Sequence, residues 1–278
     1  MPPTEKAYKD LRFLNSPGAR HIRILCEYEE PRLRFREQEV RDTIVIFGSA
    51  RVRPREEAEA ALARAERDFE GMAEEADRAR ARAELAQARR MLRMSRFYED
   101  TRALAARLTK WTVERTGGRK YLVCSGGGPG IMEASNRGAS EVEGGRSVGL
   151  GISLPFEEKV NDFVTPELAF QFHYFFMRKY WFAYLAKAMV IMPGGFGTLD
   201  EMFEVLTLRQ TGKIKKRLPM VLFGKEYWDA IIDMDQMVEW GTIAARDISL
   251  VFRTDSVDEA FDYLTSELES VEREELSK

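Results

Sequence analysis

Four short, unbroken apolar runs constrain the folding of this 278-residue chain more than anything else in it. They are Thr43-Ile44-Val45-Ile46-Phe47, Tyr121-Leu122-Val123-Cys124, Ala188-Met189-Val190-Ile191-Met192 and Met220-Val221-Leu222-Phe223. A run with no polar face must be covered on both sides, which is the pattern of interior strands in a parallel sheet. Segments of helical period lie between them. Phe97, Leu104, Leu108 and Trp111 share one helical face, and Gly117-Gly118 closes that helix as a C-cap would. Further helices are expected near 129–140, 175–186, 198–210 and 226–238 and from 256 onward, with strands near 147–154, 169–174 and 248–252. Strands alternating with helices of this length give an α/β fold. The expected form is a doubly wound, Rossmann-like, mostly parallel sheet of six or seven strands.

Two stretches fall outside that rhythm. Residues 1–42 are polar, with small apolar clusters such as Ile22-Arg23-Ile24-Leu25, and read as an N-terminal arm in which no chemistry is legible. Residues 54–93 are dominated by Ala, Glu and Arg, which favour helix, and Gly71 marks either a bend between two helical arms or a weak point in one long helix. They read as a charged helical insertion, either a merely solvated helix or a dimerisation arm. The single domain is expected over 43–268, with 269–278 frayed.

Composition narrows the function classes. Hydrophobic residues make up 44% and charged residues 32%, a globular balance, and the net charge of −3 lacks the basic excess of a nucleic-acid binder. No apolar run approaches the roughly 20 residues of a membrane helix, and the start, MPPTEKAYKDLRFL, does not read as a signal peptide. Cys26, Cys124, His21 and His173 cannot build a four-ligand zinc site by themselves. Buried, reduced thiols fit a cytoplasmic protein. No metal or cofactor, no membrane and no nucleic acid is expected.

Chemistry concentrates at two glycine clusters, each following a strand and opening a helix: Ser125-Gly126-Gly127-Gly128-Pro129-Gly130-Ile131-Met132 and Pro193-Gly194-Gly195-Phe196-Gly197-Thr198-Leu199-Asp200-Glu201. Glycines let the backbone approach a ligand, and the helix start offers free N–H groups to an anion such as phosphate. Neither cluster carries the Gly-Lys-Ser/Thr of a P-loop, and the first lacks the dinucleotide fingerprint. Asp200 and Glu201 fit equally as partners of the helix dipole or as functional carboxylates. Glu201 makes most sense when directed at a ribose hydroxyl or a developing cation, because a carboxylate repels phosphate. Arg178 lies in an aromatic-rich stretch from Phe170 to Phe182, an unusual setting for an idle guanidinium.

These residues resemble the Lonely Guy (LOG) family, long labelled "lysine decarboxylase". Met177-Arg178-Lys179, followed 23 residues after Arg178 by the Glu201 that ends the Pro193–Glu201 motif, carries the resemblance. The 125–132 loop and Phe47-Gly48-Ser49-Ala50-Arg51 extend it. The likeness covers roughly residues 43–53 and 95–265; the insertion and the arm depart from the short members. It implies a hydrolase that cleaves the N-glycosidic bond of a nucleoside 5′-monophosphate, such as AMP or a cytokinin riboside monophosphate, to free base and ribose 5-phosphate. Arg178 and Glu201 would be the catalytic pair. Gly194, Gly195, Gly197 and Thr198 would hold the phosphate, with Gly48, Ser49, Gly127, Gly128, Met177 and Lys179 completing the substrate site. A homodimer is the expected assembly, with a higher homo-oligomer as the alternative. The competing readings are a non-catalytic carrier of a nucleotide or phosphorylated cofactor, as in molybdenum-cofactor carriers, and a nucleotide-regulated docking protein. The decarboxylase label asks for a Schiff-base lysine in a setting the sequence does not show.

Overall fold

Each of the four unbroken apolar runs supplies an interior strand in the computed structural model of the chain, which describes residues 5–72, 75–153 and 159–276. In chain order the elements are α1 (Leu11–Leu14), α2 (Arg20–Glu37), β1 (Thr43–Phe47), α3 (Arg55–Gly71), α4 (Glu75–Thr116), β2 (Leu122–Ser125), α5 (Ile131–Ser140) and β3 (Ser147–Ile152). There follow β4 (Ala169–Phe172), α6 (Phe175–Leu185), β5 (Ala186–Ile191), α7 (Phe196–Gln210), β6 (Met220–Phe223), α8 (Lys225–Ile231), α9 (Met234–Glu239), β7 (Phe252–Thr254) and α10 (Val257–Leu276).

The seven strands form one sheet in the order β4-β3-β2-β1-β5-β6-β7, and every pairing is parallel. The fold is therefore the doubly wound, Rossmann-like α/β class. Side chains alternate across the sheet with the period of two that the pleat dictates. Val45, Phe47, Met189 and Ile191 pack with Trp181 and Phe182 of α6 and Met202 and Val205 of α7. Ile44, Ile46, Ala188 and Val190 face Phe97, Leu104 and Leu108 of α4, Ile131 of α5, and Leu264 of α10. Burying each such large side chain contributes roughly 1.5–3 kcal/mol. Strand order reverses between β1 and β5, so a crevice opens beyond their carboxyl ends.

Several elements differ from the sequence expectations, each for a local reason. The helix expected from 95 begins at Glu75, so the second arm of the insertion and the domain helix are one continuous α4, with α3 packed antiparallel against it. That helix ends as expected, with Gly117 at φ +63° donating its N–H to the Val113 carbonyl at 3.0 Å. The helix expected over 226–238 is split: Asp233 accepts the Gln236 N–H at 2.9 Å and starts α9 afresh. The strand expected over 248–252 is displaced. Asp247 accepts the Ala244 N–H at 2.9 Å and winds Ala245–Leu250 into a 3-10 turn, leaving only Phe252–Thr254 as β7. The tail expected to fray beyond 268 continues as α10 to Leu276, anchored where Glu272 accepts from Arg115, Lys120 and Tyr121. Cys124 is buried as expected, and burial pushes its thiol up; Cys26 is exposed on α2, contrary to expectation. Residues 1–4 of the arm, 73–74 of the insertion, 154 of the third strand and 277–278 of the tail lie outside the described residues.

Candidate active site

At the reversal point the loops after β1, β2 and β5 converge on a cavity of about 770 Å³. Ser49 stitches them together. Its N–H donates to the Pro193 carbonyl at 3.0 Å, and its own carbonyl accepts the Ile131 N–H that opens α5 at 3.1 Å. Gly48 lines the cavity, but its lack of a side chain answers to packing: a Cβ there would lie 2.5–2.7 Å from the Ile131 side chain.

The loop after β2 is held by a buried polar network. Ser125 Oγ donates to Asn136 Oδ1 at 2.7 Å and accepts the Gly127 N–H at 3.0 Å. Asn161 Nδ2 donates to the carbonyls of Gly127 and Gly128, 3.0 Å each, and to Asn136 Oδ1 at 3.0 Å. Gly127 takes φ +69°, a conformation glycine adopts without strain. Gly126, Gly127 and Gly128 thus line the cavity as a braced wall.

The loop after β5 differs in kind. Gly194 is tight, because a Cβ would collide with Thr198 Oγ1, and its carbonyl accepts the Tyr227 hydroxyl at 2.7 Å. Gly195 and Gly197 border open space, where a Cβ would meet nothing within 4 Å. Gly195 is the N-cap of α7 and provides no side-chain cap. The first-turn N–H groups and the positive end of the dipole therefore face the cavity beside buried Thr198, an arrangement suited to a phosphate-sized anion.

Arg178 of α6 and Glu201 of α7 line the same cavity. Helix α6 sets the guanidinium 5.2 Å from the Phe175 ring centroid and 5.7 Å from that of Phe182. Glu201 is only 5% exposed, and its Oε1 has no hydrogen-bond partner. Burial raises its carboxyl to about 7, against the opposing pull of Lys179 and Arg178. A buried carboxyl with an unsatisfied oxygen in a cavity is a common signature of a functional group.

Of the residues the sequence proposed, Gly48, Ser49, Gly127, Gly128, Arg178, Gly194, Gly195, Gly197, Thr198 and Glu201 meet at this cavity, whereas Met177 and Lys179 do not line it. Met177 is packed into the core under α6. Lys179 bridges to Asp200 at 2.8 Å and Glu204 at 2.7 Å, fastening α6 to α7. Sequence reasoning passed over Met94, Lys159, Gln171, Tyr227 and Ile231 as lining residues. Gln171 lies one residue before the carboxyl end of β4, on the ligand side, and was findable by that rule; Met94, deep in a long helix, carried no signal. Among the described residues, no group of three or more His, Cys, Asp or Glu is arranged to hold a metal ion.

Comparison with known proteins bears on part of these segments. The family described as "Possible lysine decarboxylase" matches residues 132–264. The cytokinin riboside 5′-monophosphate phosphoribohydrolase LOG7 of Arabidopsis thaliana is 30% identical over 178 residues, 59% of this chain and 78% of the relative. With that coverage, and with the glycine loops, Arg178 and Glu201 gathered at one cavity, the chain belongs to the LOG family.

Proposed function

We propose that this chain is a phosphoribohydrolase that hydrolyses the N-glycosidic bond of a nucleoside 5′-monophosphate, AMP or a cytokinin riboside monophosphate, to free base and ribose 5-phosphate. The observation that carries this reading is the placement of Glu201, a buried carboxyl with an unpartnered oxygen, one turn inside the helix whose N-terminus opens over Gly195 and Gly197. Phosphate at that N-terminus, held by the first-turn N–H groups and Thr198, would leave the ribose beside Glu201. As the C1′–N bond breaks, the sugar gains oxocarbenium character, and an ionised carboxylate beside it stabilises the positive charge. Arg178, lining the same cavity, would orient Glu201 or assist the departing base, whose nitrogen ends with the proton of the attacking water while the hydroxyl adds to C1′. Positive charge building on the sugar beside Glu201 favours the ionised carboxylate, whose proton has passed to solvent before the C1′–N bond breaks.

The decarboxylase description fits the residues poorly. Among the described lining residues the single lysine is exposed Lys159, and Lys179 is committed to Asp200 and Glu204. Exposed Phe175, Phe176, Tyr184 and Phe203 on α6 and α7 support a homodimer formed across these two helices. No helix among the described residues is long and apolar enough to cross a membrane, and the proposed substrate class points to the cytoplasm. The test is to incubate the protein with AMP, and separately with isopentenyladenosine monophosphate, and to measure free base against an Arg178→Ala control. Release by wild type alone supports the hydrolase. Binding without release across a panel of monophosphates would establish the carrier reading instead.

A further inference from the structure

We propose that Glu27, in the N-terminal helix α2, is a positioning residue for Arg178; the proposal rests on the reading that Arg178 serves the hydrolysis. Glu27 Oε1 accepts the backbone N–H of His173 at 2.7 Å, and Oε2 accepts that of Tyr174 at 3.2 Å. These are the two donors immediately ahead of α6, and Tyr174, its N-cap, supplies no side-chain cap. The Tyr174 carbonyl in turn accepts the N–H of Arg178 at 3.2 Å. A continuous path therefore runs from the Glu27 carboxylate through the Tyr174 peptide to the Arg178 backbone. Trp181, one turn further along, donates its Nε1–H to the Glu27 carbonyl at 3.0 Å.

Residues on either side of Glu27 reinforce the hold. Arg20 lies over the Tyr174 ring at 5.7 Å, and Arg34 donates to the Ala169 carbonyl at 2.7 Å while covering the Phe170 ring at 4.0 Å. Arg20, Glu27 and Arg34 are seven residues apart and so form one stripe along α2. That stripe grips the β4–α6 corner. The carboxylate holds the N–H groups of the N-cap and of the residue before it, and its charge complements the dipole of the helix that presents Arg178. Glu27 does not line the cavity and acts only through α6. Attachment of α2 does not depend on it, because Phe35 packs against Phe170 and Trp181 at 4.7 and 5.5 Å.

The test compares Glu27→Ala and Glu27→Gln with wild type by steady-state kinetics on the released base and by hydrogen–deuterium exchange of peptides covering 170–185. In Glu27→Ala, kcat falls about 10- to 100-fold, the scale of a small misplacement. KM stays within about twofold, because the phosphate subsite belongs to α7. Exchange quickens at the first turn of α6 and nowhere else, and Glu27→Gln, with one acceptor retained, lies between. Unchanged kcat, unchanged exchange, or a parallel loss of kcat, KM and protection throughout the chain would each overturn the proposal. A wild type that releases no base from any monophosphate would instead sink the hydrolase reading and with it the kinetic role; the exchange result then decides whether Glu27 holds α6.

Discussion

Glycines at this site serve two opposed purposes, and substitution separates them. Gly197 lies within the first turn of α7 beside open space, so alanine meets no neighbour and helix propensity favours it. Gly197→Ala is expected to raise stability by about 0.5–1 kcal/mol in thermal unfolding while weakening nucleotide binding at least about tenfold, since the methyl enters the phosphate space. Gly48→Ala should do the reverse, costing about 1–3 kcal/mol by overpacking against Ile131. Glu201 gives a sharper test through pH. Its folded-state value of about 7 exceeds the ordinary value near 4.3. The folded chain therefore holds a proton that the unfolded chain has lost, and stability drains away as pH rises from about 4.3 to about 7. Glu201→Gln escapes that loss. Its stability relative to wild type should grow across this window and level off above it at on the order of 3 kcal/mol, measured by denaturant titration at pH 4 and pH 8. The glycines, Arg178 and Glu201 were legible because motif spacing marks them. The burial and unsatisfied oxygen of Glu201 were not, since both arise from residues far apart in sequence.

At the scale of elements, the ion pairs between α6 and α7 govern the site's electrostatics. Lys179 reaches from α6 to Asp200 and Glu204 and also bears on Glu201, holding its carboxyl below where burial alone would put it. Lys179→Met should push Glu201 up, so the acidic limb of the kcat/KM profile moves to higher pH. Turnover efficiency at pH 6 should drop roughly 3- to 10-fold and approach wild type by pH 9. A uniform loss at all pH values would instead favour the substrate-contacting role that the sequence suggested for Lys179. An Arg-Lys pair in sequence does not say which member points inward. On a helix, adjacent residues are about 100° apart, so one faces the cavity and the other the neighbouring helix. The same limit explains the misplaced ends: β-type apolar pattern located the interior strands, while side-chain caps at Asp233 and Asp247 decided where the last helices and β7 begin.

The whole molecule is a parallel sheet with two additions, and they differ in how they join it. The sheet's class was readable because runs buried on both faces admit little else; the order of strands and the fusion of the insertion with the domain helix depend on long-range packing that periodicity does not encode. The N-terminal helix α2 is built into the core through Phe35 and its contacts with α6. The α3–α4 hairpin stands apart. Among its described residues the buried ones between 55 and 92 are Ala58, Ala81, Leu85 and Ala88, three alanines and one leucine that fit the close packing of α3 on α4. Its base is closed where the Arg55 N–H donates to Glu99 Oε1 at 3.0 Å, so the ends of the excursion already lie side by side. Replacing residues 60–88 by a short glycine-serine linker should then leave the sheet and the cavity intact, with Met94 still at the cavity edge. The expected result is a melting temperature within a few degrees of wild type, about 1 kcal/mol or less of stability, together with unchanged kcat. A change in molar mass by light scattering, with the fold retained, would assign the hairpin to assembly. Collapse of the fold would show that α4 must be nucleated along its full length before the domain can close on it.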